Sequence, residues 1–246
     1  MGLLRRAGSA GLLACAAILG ACAAAPPRST EEFTSPALHA LPPGSAVALL
    51  PVKSPPTDLA AGDQLVLKQL QAQLGAAGFR VVTADAARFD ADWSREVQAV
   101  GGLYDPVTGA LRTGAYGRVL SRLAQRVAQD THAVAVIDHR LMTRRAQSSG
   151  SDVEWDGQRR TQTTVRAYGS TYRFDGTTTA LSVQLLVLSA DGEPLLKSYG
   201  GSALPYVADV REGRYLLRPD LFASDAETAD GVRLALRPLL QPPVGP

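Results

Sequence analysis

The chain has 246 residues, with 25 basic and 23 acidic side chains, which give a formal net charge of only +2. A balanced chain without a long basic run gives no reason to expect a nucleic-acid partner. The two cysteines and three histidines leave few candidate metal ligands or nucleophiles. Because the sequence also has no HExxH motif, calcium loop, nucleophile elbow or phosphate-binding glycine loop, it predicts no metal, no cofactor and no catalytic residue.

The first 22 residues have the pattern of a bacterial lipoprotein export signal. Arg5 and Arg6 form a positive segment, and the apolar run Leu12–Leu19 that follows is too short to cross a bilayer as a helix. Leu19-Gly20-Ala21-Cys22 then resembles a lipobox, in which the thiol receives a diacylglyceryl group. We therefore predict a signal peptide over residues 1–21 and lipid attachment, including palmitate, at Cys22. The alternative is an ordinary secretory signal with an incidental cysteine.

The residue after Cys22 bears on the membrane to which the chain is sent. It is Ala23 rather than an aspartate, which resembles the enterobacterial pattern for lipoproteins sent on to the outer membrane. We expect a lipid anchor there, with the chain on the periplasmic face. The other cysteine, Cys15, would leave with the signal, so the mature chain would have no disulfide.

Composition divides the remainder into a tether, one domain and a short tail. Residues 22–44 combine the lipidated cysteine with alanines and five prolines, a composition that predicts an extended tether rather than a packed core. Residues 45–241 have the apolar patterning of a single α/β domain, and residues 242–246 form a tail.

The first half of the domain alternates apolar runs with helical patterns. Short unbroken apolar runs are typical of strands covered on both faces, and leucines at helical spacing predict helices between them. We predict strands over 46–50, 79–83 and 133–137, and helices over 63–77, from Asp90 to Val100, and over 114–130.

The chain changes character after Asp138. Residues 142–201 contain many threonines and the turn pairs Asp156-Gly157, Asp175-Gly176 and Asp191-Gly192, which predict antiparallel hairpins. A capping sequence from Ser224 to Glu227 predicts a final helix. The fold class is therefore α/β (α+β): a mixed β-sheet flanked by helices, with an antiparallel strand-rich C-terminal half and a C-terminal helix.

Two turns and one strand end supply the candidate binding residues. Tyr104 and Asp105 lie on a glycine-rich loop, and Trp155 and Asp156 lie on a predicted hairpin turn, where an exposed tryptophan can anchor a partner. The alternative for Trp155 is that its ring folds back onto the sheet. His139 follows a buried strand, at the end where open α/β sheets tend to bind ligands.

The order of these elements, together with the segments VALLPV, GFRVV and AVAVID, resembles a group of envelope proteins. The group comprises the curli secretion channel subunit, the outer-membrane lipoprotein activator of penicillin-binding proteins, and the N-terminal domain of the Tol translocation protein. The resemblance implies a non-catalytic periplasmic module that binds an envelope protein or self-associates. Cys22, as the lipid site, is the residue that carries over.

The sequence thus favours a lipid-anchored, periplasm-facing interaction or assembly module of the bacterial cell envelope. One alternative is a subunit of an oligomeric outer-membrane secretion or assembly ring, with residues 161–174 supplying a membrane strand. Arg166 and Arg173 would then fall on opposite faces of that strand, so one would face lipid. A second alternative, an enzyme acting on the cell wall, would need carboxylates clustered in a cleft.

Overall fold

A computed structural model describes residues 30–52, 57–165 and 173–241 of the chain. Its main sheet has the strand order β1-β9-β8-β4-β2-β3, and a hairpin of β5 and β6 is attached to the far end of β4. The strands of this sheet are β1 (Thr30–Thr34), β2 (Ala46–Leu49), β3 (Arg80–Thr83), β4 (Ala135–Ser149), β5 (Asp152–Trp155), β6 (Gln158–Thr161), β8 (Gly176–Ser189) and β9 (Pro194–Gly201).

Helices cover both faces of this sheet, which places an apolar core on each side. The helices are α1 (Ala60–Ala76), α2 (Ala86–Ala99), α3 (Thr113–Thr131) and α4 (Ala226–Leu240). Residues of α1 and α4 pack with one face, around Val66, Leu70 and Leu236. Residues of α3, with Phe89 of α2, pack with the other. Because successive side chains of a strand point to opposite faces, the unbroken apolar run of β2 supplies both cores.

The predicted fold class is confirmed. β2 is parallel to β3 and to β4, whereas β4, β8, β9 and β1 are antiparallel in turn. The sheet is therefore mixed, with an antiparallel C-terminal half and a final helix, α4. The strand predicted over 133–137 is longer than expected, because β4 continues to Ser149 and pairs with β8 in an unbroken ladder as far as Ser148.

Helix α2 begins earlier than predicted. Asp90 is not its cap; the Asp85 carboxylate accepts a hydrogen bond from the main-chain N–H of Arg88 at 2.8 Å. An aspartate three residues before that N–H satisfies one of the free donors of the first turn. The pattern around Asp90 therefore showed the helix but not its start.

The boundary predicted between tether and domain is wrong. Residues 30–34 form β1, the edge strand that pairs antiparallel with β9, and residues 36–40 form a 3-10 turn that buries Leu38 in the core. Proline content was a poor guide here because β1 contains no proline, and Pro36 begins the 3-10 turn, where its missing N–H and fixed φ are tolerated. Cys22 and the residues up to 29 lie outside the described residues.

A second, smaller sheet contains three strands in the order β11-β10-β7. They are β7 (Thr164–Val165), β10 (Tyr206–Asp209) and β11 (Arg214–Leu217). Half of the membrane strand considered for residues 161–174, the range 166–172, lies outside the described residues. None of the helices in the described part of the chain is both long and apolar enough to cross a membrane.

Candidate binding cleft

A cleft of about 880 Å³ opens just beyond the carboxyl end of β2. The last main-chain bond between β2 and β4 runs from the N–H of Leu50 to the carbonyl of Ile137, and the chain then leaves the sheet at Pro51. β4 continues past this point, and its residues from Asp138 to Thr143 all line the cleft. In open α/β sheets, ligands bind at the carboxyl ends of strands in this way.

One wall of the cleft is aromatic and apolar. Trp93 of α2 lies between Phe89, at 6.0 Å between ring centroids, and Tyr116 of α3, at 6.1 Å in an edge-to-face arrangement. Leu103 and Tyr104, from the loop between α2 and α3, extend this wall toward the rim. Large aromatic surfaces of this kind supply contact area at a small cost in conformational entropy.

The loop that carries Tyr104 is braced from within. Tyr104 forms an isolated bridge to Leu111. One carboxylate oxygen of Asp105 accepts the N–H groups of Val107 and Thr108 at 2.9 and 2.8 Å, and these bonds lower the pKa of Asp105. Asp105 is therefore a residue that shapes the loop, and it does not line the cleft. Tyr104 does line it and is 64% exposed.

A charged network crosses the floor of the cleft. Arg140 donates to the Tyr116 hydroxyl at 2.8 Å and to the Asp138 carboxylate at 3.0 Å. Burial raises the pKa of Asp138, with Arg140 opposing the shift, and burial followed by the charge of Asp138 raises the pKa of Tyr116. The guanidinium thus neutralises the aspartate and fixes the tyrosine against the apolar wall.

Two polar side chains that line the cleft are buried with hydrogen-bonding capacity unused. Neither ring nitrogen of His139 has a hydrogen-bond partner among the residues that the structure describes, and burial lowers its pKa to about 4, so the ring is neutral near pH 7. Asp63 of α1 accepts the Leu141 N–H through Oδ1 at 2.7 Å, while its Oδ2 has no partner within the described ranges, and burial raises the pKa of this carboxyl group. Unpaired buried polar atoms are costly and uncommon, so this cleft is the candidate site for a ligand that forms hydrogen bonds.

The predicted binding role of Trp155 and Asp156 is wrong. The two residues do occupy a hairpin turn, where Asp156 has a φ of 36° and Gly157 a φ of 75°. However, Trp155 is only 6% exposed, and its ring donates the Nε1–H to the Leu181 carbonyl at 3.0 Å. Gly201 permits this packing, since a Cβ there would lie 2.9 Å from Trp155 Nε1.

Asp156 is also a structural residue. Its carboxylate accepts two hydrogen bonds from Arg144, at 2.9 and 3.0 Å, and one from the Ser182 hydroxyl at 2.7 Å. The binding hypothesis required the turn to lie free in solvent, whereas the structure has the alternative arrangement, in which Trp155 folds back onto the sheet: β5 pairs with the end of β4, and this pairing brings the hairpin against β8. The ring of Trp155 fills the space between them.

The structure thus brings together Tyr104 and His139 of the predicted residues, and adds Asp63, Trp93, Tyr116 and Arg140, which sequence reasoning missed. Asp63 could have been found, because it lies three residues before Val66 and seven before Leu70, on the apolar stripe of α1. No group of three or more His, Cys, Asp or Glu that could hold a metal ion occurs among the described residues. No family model matches the chain, and no curated protein is significantly similar to it.

Proposed function

We propose that the chain is a lipid-anchored, periplasm-facing and non-catalytic module of the bacterial cell envelope, and that the cleft is the surface with which it binds a partner protein. The observation that carries this proposal is the combination of an apolar wall ending in the exposed Tyr104 with the unpaired polar atoms of Asp63 and His139. Concave, mostly apolar sites with a few convergent polar groups are the usual form of binding sites.

The path of the chain supports a cleft held near the membrane. In the main sheet Thr30 pairs with Tyr199, Tyr199 with Gln184, and Gln184 with Arg140. Three strand spacings of roughly 4.8 Å therefore separate Thr30 from the floor of the cleft, at the same level of the sheet. If Cys22 is lipidated, the intervening residues reach at most about 29 Å, at up to ~3.6 Å each. The anchor would then hold the cleft within reach of other proteins of the same membrane.

An affinity capture from intact cells tests the role of the cleft. The full-length lipidated chain is crosslinked and recovered as wild type, Tyr104→Ala and Tyr215→Ala. Tyr215 is a matched control because it is 51% exposed and lies on β11, away from the cleft. We expect one envelope protein to be captured by the wild type and by Tyr215→Ala, and to be at least 10-fold depleted with Tyr104→Ala.

The opposite pattern would contradict the proposal. Equal capture by all three forms would place the partner surface elsewhere, and capture of this chain alone, independent of Tyr104, would favour the assembly ring instead.

Labelling with palmitate tests the anchor. We expect the wild type to incorporate the label and to sediment with outer membranes, and we expect Cys22→Ser to do neither. Unlabelled wild type would contradict lipidation.

A further inference from the structure

Within the described part of the chain, β4 has one edge that is paired along almost its whole length and one edge that is paired only at its two ends. On the first side, β8 pairs with it from Ala135 to Ser148. On the second side, β2 pairs as far as Ile137, and β5 pairs from Gln147 onward. Between these two partners, no strand of the described part of the chain pairs with residues 138–146.

The cleft lies against this open edge. Its lining includes six consecutive residues of β4, from Asp138 to Thr143. Neighbouring side chains of a strand point to opposite faces, so a cavity that touches all of them must face the edge of the strand rather than one face of the sheet. The floor of the cleft is therefore main chain as well as side chain.

Two observed bonds show which residues of β4 direct their main-chain groups toward the side of the strand on which the cleft lies. The carbonyl of Ile137 accepts from Leu50 of the β2 segment, and the N–H of Leu141 donates to Asp63. Since the N–H and C=O of one residue point to the same side of a strand and alternate residues share that side, the main-chain groups of Thr143 also point into the gap.

Asp63 takes the place of a neighbouring strand at one main-chain donor of this edge. Its Oδ1 accepts the Leu141 N–H, so that this donor is satisfied without a neighbouring strand, while Oδ2 remains without a partner. A further main-chain N–H placed beside β4 would supply the donor that Oδ2 lacks.

We propose that the cleft binds its partner by strand addition: an extended segment of the partner polypeptide pairs with the open edge of β4, between β2 and β5. This inference rests on the proposed function and names how the same cleft would bind. An extended peptide is the kind of ligand whose main-chain N–H and C=O groups repeat at the same spacing as those along the edge of β4. Alternate side chains of the added strand would contact the aromatic wall at Trp93 and Tyr104.

The charge of the cleft indicates the composition of that segment. Among the described residues that line the cleft, three carry a carboxylate, Asp58, Asp63 and Asp138, and one carries a guanidinium, Arg140. Arg140 is already paired with Asp138. A segment with apolar residues on alternate positions and one basic residue would complement this site.

A synthetic strand tests the inference without requiring the natural partner. The probe is the labelled peptide acetyl-VTVKVTV-amide, compared with the same peptide N-methylated at every residue so that neither of its edges keeps main-chain donors, and binding to the full-length chain in detergent is measured by fluorescence anisotropy. N-methylation removes main-chain donors and leaves the side chains in place. We expect saturable binding of the first peptide and at least 10-fold weaker binding of the second.

A matched pair of proline variants tests the same edge from the side of the protein. Thr143→Pro removes one N–H that faces the cleft, while the ladder with β8 does not use it. Thr83→Pro is the control, because Thr83 is also an exposed threonine on a sheet edge, in β3. The main-chain N–H groups of Arg80 and Ala84 donate to the chain on the β2 side, so the N–H of Thr83 points away from β2. Binding should weaken at least 10-fold with Thr143→Pro and remain unchanged with Thr83→Pro.

The outcomes separate this inference from the proposed function. Absence of saturable binding to the wild type, or equal binding of both peptides, would overturn strand addition, whereas a Tyr104-dependent partner in cells would still support the cleft as a binding surface. If Thr143→Pro does not fold, the comparison of the two peptides on the wild type decides.

Discussion

Asp63 and Leu141 are 78 residues apart in the chain and are joined by a 2.7 Å hydrogen bond from the main-chain N–H of Leu141 to the Asp63 carboxylate. The bond fastens the first turns of α1 to the open edge of β4. It also explains how an aspartate can be buried on the apolar face of a helix, because the side chain satisfies a main-chain donor that no strand accepts.

Replacing Asp63 should therefore depend strongly on the substitute. Asp63→Ala leaves the Leu141 N–H buried without an acceptor, and we expect the free energy of unfolding to fall by about 1–3 kcal/mol. Asp63→Asn keeps an acceptor and removes a poorly solvated charge, so it should be at least as stable as the wild type at pH 7. Urea denaturation measures both, and a stable Asp63→Ala variant would contradict the role assigned to this bond.

His139 should make stability depend on pH. Burial lowers its pKa from 6.5 to about 4, so between these values the unfolded chain binds a proton that the folded chain does not. The stability from the neutral ring is complete above the higher value and is lost as the pH falls toward the lower one, by ~3 kcal/mol in total.

The variant His139→Leu isolates this effect. Burial raises the pKa of Asp63 and of Asp138, which line the same cleft, so those groups give a slope of opposite sign in both proteins. The difference in unfolding free energy between variant and wild type should therefore grow as the pH falls from 7 to 4. A constant difference over this range would show that the ring is accessible to protons in the folded state.

Leu38 provides a test of the N-terminal boundary. The residue is almost fully buried, although composition placed it in a tether. Leu38→Ala should lower the free energy of unfolding by about 2–5 kcal/mol, as truncation of a core leucine does. Leu217→Ala, at an exposed leucine of β11, should change it by less than ~0.5 kcal/mol. Equal stability of the two variants would contradict the assignment of residues 36–40 to the domain and would favour the predicted tether.

Truncation of Trp155 should lower the free energy of unfolding, whereas truncation of Tyr104 should not, because the first residue is buried and the second is exposed. Trp155→Ala removes a buried ring and its bond to the Leu181 carbonyl, and we expect a loss of about 3–5 kcal/mol in stability. Tyr104→Ala removes an exposed ring, so its thermal unfolding should match that of the wild type. If Trp155→Ala were as stable as the wild type, the ring could not be packed as described.

The sequence predicted the elements of the fold correctly wherever a residue pattern is typical of only one kind of structure. The apolar runs of β2 and β4 and the helical spacing of α3 identified the parallel half of the sheet, because only a layered α/β arrangement buries strands on both faces. The turn at Asp156-Gly157 was also placed correctly.

The sequence was uninformative wherever the environment of a residue depends on distant parts of the chain. Whether Trp155 lies in solvent or against β8 depends on the pairing of β5 with the end of β4. The cleft forms because β2 ends after four residues while β4 continues for fifteen. No local pattern in either segment predicts this difference in strand length. Asp63 lies on an apolar stripe, but its acceptor role requires Leu141, far along the chain.

Site-specific photocrosslinking tests the central claim, that the cleft is the partner surface, most directly. A benzophenone amino acid is placed in the full-length chain at Leu111, which lines the cleft, or at Val107 on the same loop, which is 91% exposed and does not line it. We predict that irradiated cells give a crosslink to a single extended segment of one envelope protein from position 111 and none from position 107. Crosslinks of equal yield from both positions, or from position 107 alone, would contradict the account.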